Sequence, residues 1–248
     1  MKRFLVATIL TMATYVVSAQ SSVPAAPATS AEATTTVVSQ PKTDKLALFN
    51  SVKIDGQMSV VLKRVSTLQE MRITYDTKGN PASKFKFDID KKGVLTVSEK
   101  NDPKHTIDTD VIIYYHSLRD IRIAHAKVTF EGVLESDLLD LVVSSGAIAL
   151  LEVKSLDVAV ECTGTSCLAL NGSTKYLTMR ASTAKLDCSK LSVVSATIDA
   201  SHSAEVRLAV EERLEVTTST GARLIYKGMP AIVRNHNAIF GGEIININ

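Results

Sequence analysis

The chain has 248 residues, 45% of them hydrophobic and 5% aromatic, with no Trp. That apolar content excludes wholesale disorder, and the dominance of Val, Ile, Leu, Ala, Ser and Thr suits many thin stacked layers better than one thick core. The net charge of +2 resides in Lys2 and Arg3; the rest of the chain carries 26 basic and 26 acidic side chains, without the clustered basic surplus of a nucleic-acid binder.

Lys2-Arg3 precedes an apolar stretch from Phe4 to Val17, and Val17-Ser18-Ala19 supplies small residues before Gln20. These are the n-region, h-region and cleavage site of a signal peptide over residues 1–19, which predicts an exported protein, periplasmic, outer-membrane-associated or at the cell surface. An uncleaved anchor is the alternative, but an apolar run of ~14 residues falls short of the ~20 that a spanning helix needs. No later segment is long and apolar enough to span a membrane. Residues 20–47 are rich in Ser, Ala, Thr and Pro and cannot bury enough surface to offset their ordering entropy. They are expected to form a flexible spacer.

From Leu48 the texture changes to short alternating runs separated by turn residues. Val52-Lys53-Ile54 leads into Asp55-Gly56, and Met58–Leu62 and Met71–Tyr75 follow. Phe85–Ile89 is a strict period-two run, turned by Lys91-Lys92-Gly93 into Val94–Val97, and Val111–Tyr115 is a further strand. No window of a dozen residues carries a helical apolar stripe.

The second half repeats. Pairs of apolar residues flanking one variable residue recur at Ile121/Ile123, Leu139/Leu141, Leu156/Val158, Leu177/Met179, Ala196/Ile198, Leu214/Val216 and Ala231/Val233. Their steps are 18, 17, 21, 19, 18 and 17 residues. A small polar cluster follows each of several anchors, as at Ser144-Ser145-Gly146-Ala147 and Ser219-Thr220-Gly221-Ala222, and a second alternation such as Ile148/Leu150 or Val206/Leu208 ends the unit. A period near 18 with short strands and no helix predicts one all-β domain over 48–248, a right-handed parallel β-helix (β-solenoid). About ten rungs at ~4.8 Å would make a rod on the order of 50 Å long. The coil from Ala231 onward is expected to close one end.

These repeats, with Phe49-Asn50-Ser51-Val52-Lys53-Ile54-Asp55-Gly56 and Val60-Val61-Leu62, resemble the bacterial head GIN domain, described as an auto-transporter adhesin head. The resemblance runs from about residue 48 to 245. It implies a single-domain β-helix in the cell envelope with no established catalytic residues. The clusters here are degenerate, and the last repeat has Asn235-His236-Asn237-Ala238 instead.

In the predicted stack Arg122, Asp140, Asp157, Thr178, Thr197, Glu215 and Ile232 face outward between the anchors. Asp140 and Asp157 on adjacent rungs would lie ~5 Å apart, the spacing of a retaining glycosidase pair; an exposed charge ladder with Arg122 above Asp140 is the competing explanation. The histidines at 105, 116, 125, 202 and 236 fall in no common column, and no metal or cofactor site is expected. Ser144, Ser182, Ser201 and Ser219 recur at one offset, as structural corner residues would; a catalytic Ser needs one unique base. Cys162, Cys167 and Cys188 match no zinc spacing; buried hydrophobes are one reading and a Cys162–Cys167 bridge another. The function expected is a non-enzymatic adhesin-like module for a glycan or protein ligand. The alternatives are an assembly protein pairing through a solenoid edge and a polysaccharide-active enzyme using Asp140 and Asp157.

Overall fold

The computed structural model describes residues 40–80, 83–100, 107–237 and 240–248, all within one compact unit. The leader, residues 20–39 of the spacer, and His105 lie outside the described residues. Period-two alternation becomes strand nearly everywhere, and the one helical element described is a 3-10 turn at Leu68–Glu70. The first eight strands are short: β1 (Lys42–Lys45), β2 (Ser51–Asp55), β3 (Met58–Arg64), β4 (Arg72–Asp76), β5 (Lys86–Ile89), β6 (Val94–Ser98), β7 (Thr109–Tyr115) and β8 (Asp120–Ala124). Long strands follow, each most of a full coil: β9 (Lys127–Ser144), β10 (Ile148–Thr163), β11 (Cys167–Ser182), β12 (Lys185–Ser201) and β13 (Glu205–Thr218). The chain ends with β14 (Arg223–Lys227), β15 (Ile232–Asn237) and β16 (Glu243–Asn246).

Strands β9 to β13 pair in parallel, each with the next. The register runs Ile148↔Cys167↔Lys185↔Glu205↔Arg223↔Glu243, so each coil lies directly on its predecessor. The result is the expected parallel β-solenoid, with about 7 turns of ~19 residues. The count falls below ten because the N-terminal half does not coil throughout. There β4 runs antiparallel to both β1 and β7, and β5 antiparallel to β6. Strand β1 falls inside the stretch whose composition reads as spacer.

Stacking like on like builds the core. One inward column is Ile121, Leu141, Val160, Met179, Ile198 and Val216, and beside it stand Ile123, Val143, Cys162, Ala181 and Ala200. Every one of these side chains is buried, and a fully buried Val, Leu or Ile contributes roughly 1.5–3 kcal/mol. The first column is large throughout, and the second tapers from Ile123 and Val143 to Cys162, Ala181 and Ala200.

The polar clusters form the first corner. Ser145, Gly146, Gly164, Thr165, Thr183, His202, Ser203, Thr220 and Gly221 all have positive φ. The left-handed conformation turns the chain sharply where small residues tolerate it. Ala147, Ala204 and Ala222 then donate their amides back to Ser144, Ser201 and Ser219 across each turn. A second corner carries a hydroxyl column, Ser136, Ser155 and Thr174. The Ser155 hydroxyl donates to the Asp157 carbonyl at 2.9 Å and that of Thr174 to the Tyr176 carbonyl at 3.0 Å, so each hydroxyl satisfies a corner carbonyl. Gly172, at φ +106°, lies where a Cβ would come 2.0 Å from the Val153 carbonyl oxygen of the rung before.

The final coil is the last layer of the stack among the described residues. β15 pairs with β13 and β16 with β14, with no strand on their far sides among the described residues. Ile232 and Val233 stay exposed there.

Two outcomes follow. Gly172→Ala is expected to cost about 3 kcal/mol, seen as a lower denaturant midpoint, whereas Gly132→Ala, with nothing within 4 Å, should lose only the left-handed preference of its backbone. Burial also pushes the Tyr115 hydroxyl from 10.0 up to about 12 and the Cys162 and Cys188 thiols from 9.0 up to about 12. These groups stay neutral in the fold at pH values where the unfolded chain ionises them. Their contribution to stability is therefore complete below about pH 9 and is lost as the pH rises toward 12. Denaturation midpoints should hold level to about pH 9 and then fall; a flat profile into strong alkali would contradict this assignment.

Candidate functional site

The outward columns of the first sheet face differ from those the repeat predicts. Leu139 stacks on Val158, not on Leu156, and Leu141 on Val160. Leu156 points out and is 51% exposed. The outward column is therefore Asp120, Asp140, Ala159, Thr178, Thr197, Glu215 and Arg234. Asp157 stands beside Leu138 and Tyr176 in another column, so Asp140 and Asp157 are not the stacked carboxylate pair. Arg122 is not above Asp140 either: it aligns with Val142, and its guanidinium lies 3.3 Å from Asp120. The proposed stacked acid pair thus fails on register.

The remaining chemical candidates do not assemble. His202 Nδ1 lies 3.3 Å from the Ser182 hydroxyl and 3.2 Å from that of Ser201, but among the described residues no carboxylate orients it. His125 pairs with Asp55 at 3.0 Å and His116 with the Val65 carbonyl at 3.3 Å. No group of three or more His, Cys, Asp or Glu side chains converges among the described residues. All three cysteines are free; Cys162 and Cys188 are core residues and Cys167 is exposed.

A different surface stands out on the face after the first corner. Ala149, Leu151 and Val153 take the inward positions of β10, so Ile148 and Leu150 point outward, 48% and 44% exposed. This phase is opposite to that of Val206/Leu208, which are inward. One residue of offset turns an apolar pair from core to surface. In register below them stand Cys167 and Ala169, then Lys185 and Asp187, then Glu205 and Arg207. Together they line a groove of about 480 Å³ with an apolar floor and a charged rim. The rim is held in place: Arg207 donates to Glu205 at 2.9 Å, and Ser189 donates to Asp187 at 2.6 Å. That hydroxyl bond, followed by the Ser189 amide, holds the Asp187 carboxyl below its usual range. Sequence patterning missed the groove because Ile148/Leu150 looks identical to the inward pairs. The signal lay in Ala149-Leu151-Val153, whose alternation continues the phase of Leu168/Leu170.

The family model that matches this chain is described as "Putative auto-transporter adhesin, head GIN domain" and spans residues 48–230. A solved putative adhesin from Bacteroides fragilis superposes with a TM-score of 0.72 at 14% identity, covering 84% of this chain and 97% of that one. One from Parabacteroides merdae gives 0.64 at 17%, covering 84% and 96%. A putative lipid binding protein from Parabacteroides distasonis gives 0.57 at 11%, covering 85% and 97%. Identities this low speak to the shared fold. No curated protein matches the chain.

The thiols offer a direct check of the burial pattern. Cys167 should be alkylated in the native protein, while Cys162 and Cys188, buried and held neutral, should react only after unfolding; mass spectrometry of maleimide-treated protein reads this out. Native labelling of Cys162 would mean that the coil is in another register.

Proposed function

We propose that this chain, which belongs to the head GIN domain family, is an exported, non-enzymatic, adhesin-like binding module that presents one sheet face to a protein or glycan ligand. The family and its structural neighbours carry adhesin names, which support a binding role. The observation that carries the reading is the contiguous outward set Ile148, Leu150, Cys167 and Ala169, bordered on the next rungs by the charged side chains of Lys185, Asp187, Glu205 and Arg207. Contiguous apolar surface rimmed by polar groups marks interaction sites, and a flat, rigid face needs little reorganisation on binding. Residues 1–19 would direct export, and the part of the Ser/Ala/Thr/Pro-rich stretch that precedes β1 would tether the head at a distance from its point of attachment.

The test is binding of residues 20–248 to an array of glycans and host matrix proteins, alongside the double variant Ile148→Glu/Leu150→Glu. The expected result is saturable binding that the variant weakens by about ten-fold or more while its circular dichroism spectrum is unchanged. Binding untouched by the substitution would place the contact surface elsewhere. An array that stays blank with the folded wild-type protein would refute adhesion to these ligand classes and favour an envelope partner.

A further inference from the structure

The N-terminal end of the first sheet face holds a second cavity, of about 590 Å³, lined by Lys84, Lys86, Lys100, Asp55, Glu99 and His125 with small residues between them. Its position follows from the register. Lys86 of β5 aligns with Ser98 of β6, Ser98 with Asp55 of β2, and Asp55 with Ala124 of β8. Three lysines meet here against two carboxylates. Elsewhere Lys63, Lys78 and Lys127 each have a carboxylate within 3.0 Å. Two carboxylates share the cavity: Asp55, half-exposed, pairs with the equally exposed His125 at 3.0 Å, and Glu99, 4% exposed, accepts from the Ser83 hydroxyl at 2.6 Å. Lys53 stands one column over, with Arg122 in register below it and Asp88 as the exposed counter-charge nearby.

The geometry points to a binding site for an acidic saccharide, a sugar carrying carboxylate or sulfate groups. Three ammonium groups supply the charge recognition. The volume is in the range of small-ligand sites and exceeds what a lone ion fills. The lining has no large apolar or aromatic side chain, so neither an acyl chain nor a stacked nucleobase finds a partner there. The cavity's column also continues past Ala124 into Ser144, and on later rungs Thr163, Ser182 and Ser201 stand in register with one another, all part-buried hydroxyl residues. A hydroxyl-lined track at ~4.8 Å intervals suits an extended polyhydroxylated chain anchored by its acid at the lysine end. This site lies on a different face from the Ile148–Leu150 groove and does not depend on it.

Calorimetric titration of residues 20–248 with a short oligogalacturonate, and with the same oligomer methyl-esterified to remove its charge, tests the assignment. The charged oligomer should bind saturably and more weakly as salt is raised, and the ester should not bind. Lys84→Gln/Lys86→Gln/Lys100→Gln should weaken binding by about ten-fold or more. Lys154→Gln/Lys175→Gln/Lys190→Gln, an equal change of charge elsewhere, should leave it intact. Equal binding of the ester, or equal losses in the two triple variants, would overturn the site. So would binding of inorganic phosphate or of phosphatidylglycerol vesicles in place of the oligosaccharide. Loss of glycan-array binding by Ile148→Glu/Leu150→Glu with retained oligogalacturonate binding would separate this site from the adhesive face.

Discussion

Everything in this protein follows from one requirement: each coil must hydrogen-bond in register to the coils above and below it. Parallel strands fix the layer spacing, so a side chain's neighbours along the rod are set by register and not by its own preferences. Val160 therefore sits on Met179 and Cys162 on Ala181. The same requirement makes the corners alike from coil to coil, the one at Thr183 being a residue shorter than its neighbours. Small residues recur there because backbones stack on backbones, leaving Gly172 no room for a side chain against the Val153 carbonyl.

The architecture was legible because register writes itself into sequence as a period, and the clusters around Ser145, Thr183 and Thr220 announced the left-handed corners. Phase was harder to read. Leu156 and Ile148/Leu150 are apolar and outward, whereas Val158 and Ala149/Leu151 beside them are apolar and inward; in such all-apolar runs alternation cannot say which face is which. The misplaced Asp140–Asp157 pair came from that ambiguity, as did the overlooked groove. The number of turns was overestimated for a separate reason. Antiparallel β4 and β5 use the same alternating residues as the coiling strands, and strand direction leaves no mark on local composition.

Structure and stability also separate cleanly in this fold. Inward columns carry the apolar burial, while outward columns make little contribution to the core and can hold what a ligand requires. Salt bridges such as Arg223–Glu243 and Lys63–Glu131 lie on that outer layer and, exposed as they are, matter more for the potential presented to solvent than for holding the coil. An apolar groove on one face and a lysine-lined cavity on another can coexist because the side chains that characterise them, Ile148, Leu150 and Cys167 in one and Lys84, Lys86 and Lys100 in the other, are exposed.

The long strands β9 to β13 have a mechanical consequence. Their hydrogen bonds run along the rod, between coils, so tension applied along the axis falls on the whole ladder joining two coils at once. The registered pairs from Ile148↔Cys167 to Thr163↔Ser182 would share that pull. Tension applied to a chain end that leaves the rod sideways would instead peel one coil away, pair by pair. A head domain anchored through one terminus and gripped on its side would therefore yield very differently depending on the direction from which it is pulled.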